Sequence, residues 1–473
     1  MANLLQDVFE HAGSRRSEPG ISDVLDGGYC AGCGACAAVS GKSMQLNEFG
    51  EYLPDTVPDG DQTRAVCPFL RPDLNEDALA ERLLPECANY SRELGRFDRI
   101  FAAHVLEGTF RSEGSSGGVG SWIGVELLRR GEIDGVIHVL PVSRKNAEDP
   151  FFRYGISVTE DELRRGAHSH YHVVEISEVM QQARTAGKRF LFIGVPCMVK
   201  AVRRLQLADE VLRANIPYVV SLICGHLKSV NWSLSLGWAA GLTPEEMAEI
   251  SFRVKSEKIP AKAYYYRVRA HGEREGRVLN SAEVTGGKFN MGAMMLNACD
   301  YCDDVVGETA DLSIGDAWLP RYAFDWRGKN MLIVRNPHLS SLLVKAADES
   351  RLHLELMTPS EAAKAQSGGF RHRREGLRYR LALADSKGKW VPVKRIFSDR
   401  KPLPHRRLIY GLRQHCAAES RRAFRKALTH RDFSLYTRHM EWRFKLLRLL
   451  EIMIATPRIL SVRLQRVKLR LQK

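Results

Sequence analysis

Short apolar runs alternate with amphipathic stretches through the middle of the chain, in the manner of β and α elements. FLFIGVPC (190–197) is a continuous apolar run ending at Pro-Cys, and MVKAVRRLQ after it has helical character. YVVSLICGH (218–226) repeats the plan, with a strand-like run that ends at Cys224. GVIHVL (135–140) and ADLSIGDAW (310–318) are further strands, and VSRKNAEDP between such elements is a loop. Apolar strands covered by helices predict an α/β domain with a mixed, mostly parallel sheet. Nearer the end, Trp442, Leu446, Leu449, Leu450 and Met453 recur at helical spacing beside Arg443, Lys445 and Arg448, until Pro457 is expected to interrupt the helix. No repeat of solenoid period and no low-complexity tract occurs.

Composition narrows the setting. With 473 residues, 44% of them hydrophobic, the chain can bury more than one core. The opening MANLLQDVFEHAGSRRSEPG is too polar and acidic for the core of a signal peptide, and no uncharged apolar stretch reaches eighteen residues. Ten cysteines without such a signal point to metal ligation in a reducing compartment rather than to disulfides. A cytoplasmic protein is expected, with attachment at the inner face of the membrane as an option. The net charge of +14 hides an asymmetry: residues 371–473 hold 29 Lys and Arg against 7 Asp and Glu, while the remainder holds 41 against 49. An acidic body carries a strongly basic C-terminal part.

Cysteine spacing supplies the chemistry. Cys30, Cys33 and Cys36 are each two residues apart, and Cys67 follows from a distance with Pro68 behind it. Four thiolates in that order suit a [4Fe-4S] cluster. Gly32 and Gly34 let backbone amides approach the cluster sulfides. Structural zinc sites usually pair C-x2-C units instead, and no histidine follows for haem attachment. A second set is Cys197 and Cys224, at the C-terminal ends of two strands where ligands bind in open α/β sheets, with the pair Cys299 and Cys302. On spacing alone this set is a second four-cysteine site, a pair of small buried hydrophobes beside a redox pair, or half of a zinc site. Cys87 and Cys416 lack evident partners and are read as structural.

A loop of small residues, Ser115, Ser116, Gly117 and Gly118, opens the helical stretch SWIGVELLRRG. Such a loop offers backbone N–H groups to an anion, or is simply a glycine-rich turn before a helix. Neither standard nucleotide fingerprint is present: Gly41-Lys42-Ser43 has the P-loop ending, but Cys36 stands where its first glycine belongs.

In order, C-x2-C-x2-C, a distal Cys-Pro, SSGG, G-V-P-C, I-C-G-H, C-x2-C and A-D-x-x-I-G-D-A-W resemble the coenzyme F420 hydrogenase/dehydrogenase beta subunit family, which includes 7-hydroxymethyl chlorophyll a reductase. The likeness covers about residues 25–340. It implies an iron–sulfur flavoprotein oxidoreductase with two [4Fe-4S] clusters and FAD, built as an N-terminal ferredoxin-like domain (1–95), a flavin domain in two parts (96–180 and 181–350) and a basic, mainly helical extension (371–473). It also implies that Ser115, Ser116, Gly117 and Gly118 line the flavin. Ser169-His170-Tyr171 stands where the family has Ser-Lys-Tyr, Phe252-Arg-Val-Lys255 where it has a basic Phe-Arg-x-Lys segment, and Asp316 matches its Gly-Asp. His170 and His226 are the candidate acid groups, each also readable as a structural or flavin contact.

Departures from the family pattern bear on the acceptor. His170 replaces a lysine, which weakens a phosphate or flavin contact or makes it pH-dependent. Leu296-Asn-Ala-Cys299 replaces Arg-Pro-Ser-Cys, and Asp303-Asp304 follow Cys302 where an aromatic and a lysine are usual. Ala-Ala-Val-Ser40 leaves room for one cluster only in the N-terminal domain, and the absence of nickel–iron cysteine motifs excludes hydrogen activation by this chain. The expected function takes electrons from ferredoxin or a partner subunit through flavin to a substrate or acceptor, with coenzyme F420 among the options. The alternatives are an electron-transfer beta subunit of a larger complex, or a non-enzymatic cluster protein of surface-polysaccharide assembly. The basic tail RILSVRLQRVKLRLQK suits an anionic membrane surface, an acidic partner such as ferredoxin, or an ordinary solvated face packing its apolar stripe on the body. Nucleic acid is not expected, since no recognition motif accompanies the charge.

Overall fold

The computed structural model describes residues 18–396 and 402–471, without the side chains of 455–471. Residues 1–17, which carry most of the stretch weighed as a signal peptide, and the side chains of the last basic segment lie outside the described residues. Eight strands form the main sheet: β1 (Arg99–Val105), β2 (Gly135–Pro141), β3 (Phe152–Ser157), β4 (Phe190–Gly194), β5 (Tyr218–Leu222), β6 (Leu312–Asp316), β7 (Asn330–Val334) and β8 (Leu352–Leu356). Their spatial order is β8-β1-β7-β6-β5-β4-β2-β3. The run β6-β5-β4-β2 is parallel, and the flanking ladders are antiparallel. All four strands named from the apolar runs are present.

Residue parity in β4 shows why these runs are strands. Phe190 and Phe192 enter a core with Met198 and Val199, whereas Leu191 and Ile193 enter the opposite core with Trp122 and Ile123. Both faces of the sheet are covered, so the strand is fully buried and shows no polar alternation. The parallel run brings the C-terminal ends of β4, β5 and β6 to one rim. The strand pairing puts the end of β1 there too, since Ala103 faces Asn330 and Asn330 faces Asp316.

Around this frame lie α1 (Ala35–Ser40), α2 (Val119–Arg129) and α3 (Pro196–Ala208). The N-terminal region adds short helices and small hairpins, and Ala35, Cys36 and Val66 share one core with Met198 and Val199. A three-stranded sheet (Met247–Phe252, Tyr265–Ala270, Arg277–Asn280) packs against α4 (Pro404–His430) and α5 (Phe433–Leu471).

The C-terminal part differs from expectation in two ways. The α5 backbone runs helically through Pro457, because proline removes one backbone donor and strains one turn without obliging the rest of a long helix to end. The stripe that packs on the body is Tyr436, Met440, Phe444 and Leu447, whereas Trp442, Leu446, Leu449 and Met453 are 39% to 59% exposed. Much of the segment's basic charge is spent within the molecule. Arg421 pairs with Glu51 at 2.8 Å, Arg374 with Glu308 at 2.9 Å, and Arg395 with Glu308 at 2.8 Å and Glu76 at 3.3 Å.

Candidate metal and cofactor site

Cys30, Cys33, Cys36 and Cys67 surround one small apolar cavity of about 20 Å3, closed by Ile21, Val24 and Pro68. Gly32 has φ +67°, and its N–H donates to Cys30 Sγ at 3.3 Å. That conformation is strained for any side chain, so the glycine is what lets the amide face the sulfur. Burial, reinforced by the neighbouring thiols, pushes Cys30 and Cys36 up to about 12 and Cys33 well above its usual value.

The second set converges as well. Cys197 starts α3, Cys224 follows β5, and Cys299 and Cys302 lie on and just after a single 3-10 turn (Asn297–Tyr301). Burial raises the Cys197 thiol most, and then Cys224, Cys302, Cys299 and Cys33 do. The two quartets adjoin: Cys33, Cys36, Cys67 and Cys299 belong to one buried core, and Cys30 and Cys197 pack against it. The Leu227 N–H donates to Cys299 Sγ at 3.2 Å. Helix α3 is the strut between the quartets: Cys197 stands in its first turn, and Arg204 further along donates to the Cys67 carbonyl and to those of Leu70, Arg71 and Leu74. Cys87 and Cys416 are buried away from both.

Among the described residues, no three His, Cys, Asp or Glu side chains converge as ligands of a single ion do. A four-iron cluster instead takes one sulfur at each iron around a shared space. In donor type and burial both quartets fit it. Buried thiols that raise one another's pKa carry no charge alone, and iron is what would stabilise them as thiolates.

Next to the second quartet, the rim opens into a cavity of about 850 Å3, within the range of cofactor pockets. Ser115, Ser116, Gly118, Ser169, His170, Tyr171, Cys224, His226 and Asp316 all line it. Gly118 caps α2 with φ +87°, and a Cβ there would stand 2.6 Å from the Phe110 carbonyl. Gly117 does not line the cavity; a Cβ on it would meet the Ala103 oxygen at 2.7 Å, so its role is close packing on the sheet. Ser115 Oγ accepts from Ser169 N at 2.8 Å. Ser116 Oγ and Nε2 of His226 are buried without a hydrogen-bond partner. Orphaned polar atoms facing a roomy cavity fit a polar cofactor such as a flavin.

Lys255 stands behind the loop rather than in the cavity. Its ammonium donates to the carbonyls of Arg111 (2.6 Å), Arg327 (2.7 Å) and Ser116 (2.8 Å), tying the small-residue loop from below. Burial, with Arg253 and Arg111 nearby, lowers its pKa to about 7. Asp316 pairs with buried Arg253 at 2.6 Å. His170 lies tilted against Phe152 with ring centroids 4.4 Å apart, and burial lowers it to about 3, so it is a neutral ring rather than a substitute cation for lysine. His226 lies flat on Phe289 at 4.0 Å, and burial holds it well below its usual value. Neither histidine carries an imidazolium proton at neutral pH.

Motif reading missed the contribution of residues 371–413. Arg371, Arg406 and Arg413 wall the far side of the cavity, where Glu375 pairs with Arg406 at 3.2 Å and Glu451 with Arg413. Two departures from the family pattern also find partners at long range. Asp303 faces Lys394 at 3.6 Å and Arg395 at 3.4 Å, and Asn297 donates to the Gly27 and Gly28 carbonyls at 3.2 Å.

Comparison with known proteins agrees with the motif order. Two family models match, both described as coenzyme F420 hydrogenase/dehydrogenase, beta subunit: the N-terminal model over residues 100–181 and the C-terminal model over residues 187–360, together more than half of the chain. The coenzyme F420-dependent sulfite reductase of Methanocaldococcus jannaschii is 22% identical over 309 residues, which are 62% of this chain and 43% of that protein. The chain therefore spans under half the length of that relative. The F subunit of the F(420)H(2) dehydrogenase from Methanosarcina mazei is 24% identical over 319 residues, 64% of this chain and 79% of that one. A chain in a solved structure of the F420-reducing [NiFe] hydrogenase complex from Methanosarcina barkeri superposes with a TM-score of 0.48 at 16% identity, over 65% of this chain and 98% of that one.

Proposed function

The chain belongs to the coenzyme F420 hydrogenase/dehydrogenase beta subunit family, and from that premise we propose that it is an FAD- and [4Fe-4S]-dependent oxidoreductase of the cytoplasm. It would take electrons from ferredoxin or a partner subunit and deliver them to a two-electron acceptor, coenzyme F420 being the candidate that the relatives' names supply. The observation that carries the reading is the common rim: Cys224 of the second quartet and the small-residue loop after β1 line one cavity.

When bound, FAD supplies exchange between single-electron and two-electron transfer, and the clusters supply single-electron relay. Cys30, Cys33, Cys36 and Cys67 would hold one cluster, in an N-terminal region that acts as the ferredoxin-like unit. Cys197, Cys224, Cys299 and Cys302 would hold the other, beside the flavin. Ser115, Ser116, Gly118, Ser169 and Tyr171 would line the flavin, with Lys255 fixing the loop that carries them and Asp316 held in place by Arg253. His170 and His226 would offer neutral ring N–H groups and exclude water. Arg371, Arg406 and Arg413 line the far wall, where Glu375 pairs with Arg406 and Glu451 with Arg413, so this wall does not by itself select the charge of the acceptor.

The test is anaerobic purification with iron, acid-labile sulfide and released flavin counted per chain. About eight irons and one FAD support the proposal; iron without flavin overturns it. One relative is by name a subunit, and this favours a second reading in which the chain is an electron-transfer subunit without its own substrate. Turnover of coenzyme F420 by the isolated chain with a reduced carrier would reject that reading.

An anionic membrane surface is the further partner we propose. No helix among the described residues is long and apolar enough to cross a membrane. The exposed row of Trp442, Leu446, Leu449 and Met453 beside Lys445 and Arg448 instead supports a helix lying on a lipid surface.

A further inference from the structure

Arg373 comes from a segment beyond residue 360, where the match to the family ends, yet it stands among the cysteines of the second quartet. It lies in a single π-helical turn, Arg371–Glu375, an irregularity that re-aims side chains and recurs at functional sites. The residue is 2% exposed. Nη1 touches Cys302 Sγ and donates to the Asp304 carbonyl at 3.0 Å; Nη2 lies 3.8 Å from Cys224 Sγ and donates to the Gly225 carbonyl at 2.8 Å. Against the cost of burial, the groups that favour its charged form are Cys302, Cys224, Cys299 and Cys197, in that order.

A guanidinium is expensive to bury unless negative charge faces it. Four protonated thiols supply none, whereas four thiolates around an iron–sulfur cluster leave a net negative charge. The same geometry acts on electron affinity. A fixed positive charge and N–H donors to ligand sulfurs both favour the reduced cluster, which carries one more negative charge.

We propose that Arg373 is a positioning residue of the second cluster, orienting Cys224 and Cys302 and raising the reduction potential of that cluster alone. Resting on the two-cluster reading above, the inference assigns the C-terminal segment a part in the redox site itself. The conformation that delivers this cation is held from several sides: Arg380 donates to the Asp300 and His372 carbonyls at 2.7 and 2.8 Å, and Lys394 and Arg395 bind Asp303, the residue after Cys302.

The experiment compares the full chain with Arg373→Met and Arg373→Lys, all purified anaerobically. Iron and sulfide are counted, and the clusters are titrated electrochemically under electron paramagnetic resonance. With full iron, Arg373→Met should lower the potential of one cluster by at least a tenfold change in its reduction equilibrium, about 59 mV for one electron, leaving the other unmoved. Arg373→Lys should fall between. An unmoved potential at full iron overturns the proposal. Should Arg373→Met lose its second cluster, Arg373→Lys decides, a lowered potential supporting the proposal and an unchanged one refuting it. Wild-type protein with only about four irons overturns the two-cluster reading and this inference with it, whereas full iron and an unmoved potential overturn the inference alone.

Discussion

Replacing Arg204 by methionine should remove the first cluster and spare the flavin. The guanidinium is buried on α3 and donates to four carbonyls of the segment Cys67–Leu74. Two of these acceptors keep a backbone donor, since Leu70 N reaches the Cys67 oxygen and Leu74 N the Arg71 oxygen. The Leu70 and Leu74 carbonyls rely on Arg204 among the described hydrogen bonds. Leaving two buried acceptors unpaired costs about 1–3 kcal/mol each. Methionine has similar length and no charge to desolvate, which offsets part of that. A net loss of about 2–4 kcal/mol is expected, concentrated where Cys67 must stay in register with Cys30, Cys33 and Cys36. The assay is a urea unfolding midpoint combined with anaerobic iron and flavin counts. The variant should lose about four irons and keep its flavin. An unchanged midpoint with full iron would refute the view that α3 braces the distal cysteine.

Gly118→Ala should lower stability by about 2–5 kcal/mol and empty the flavin site, because a left-handed residue costs about 1–2 kcal/mol and the Phe110 carbonyl must also shift; flavin retention at wild-type stability would contradict this. Acid should destabilise the protein early. His138, His172 and His372 are lowered to about 4 and His170 to about 3 by burial, so the folded state stays neutral while the unfolded state takes up protons below about pH 6.5. Stability should therefore fall as pH drops from about 6.5 towards 4, by up to about 1.4 kcal/mol per unit for each histidine, and His138→Gln should flatten the slope. Equal urea midpoints at pH 7 and pH 5 would count against it. Trp442→Glu with Leu449→Glu should abolish co-sedimentation with anionic vesicles without changing the fold; binding that persists would discard the lipid surface.

What the chain reveals before folding is what lies close together along it. Three cysteines of the first quartet sit in one tight loop, and the apolar runs of β4 and β5 end at cysteines, so both features survive translation from spacing to space. Long-range pairing leaves no local trace. Summed charge marks residues 371–473 as basic but cannot reveal that Arg395 answers Glu76 and Glu308, or that Arg373 reaches Cys302 and Cys224. Helical spacing picks out the apolar row from Trp442 to Met453, yet two rows share that helix and the other one is buried. Phe252–Lys255 matches a basic segment of the family in sequence, but the match cannot show that Lys255 spends its donors on the backbone carbonyls of Arg111, Ser116 and Arg327.

Paramagnetic resonance of the fully reduced chain decides whether two clusters occupy the two quartets. Wild-type protein should give two clusters whose signals broaden one another, since Cys33, Cys36, Cys67 and Cys299 share one buried core with Cys30 and Cys197 packed against it. Cys33→Ala and Cys299→Ala should each leave a single, uncoupled signal, and the two remaining signals should differ. One signal in the wild type, or a spectrum that neither substitution alters, would rule out a cluster in each quartet.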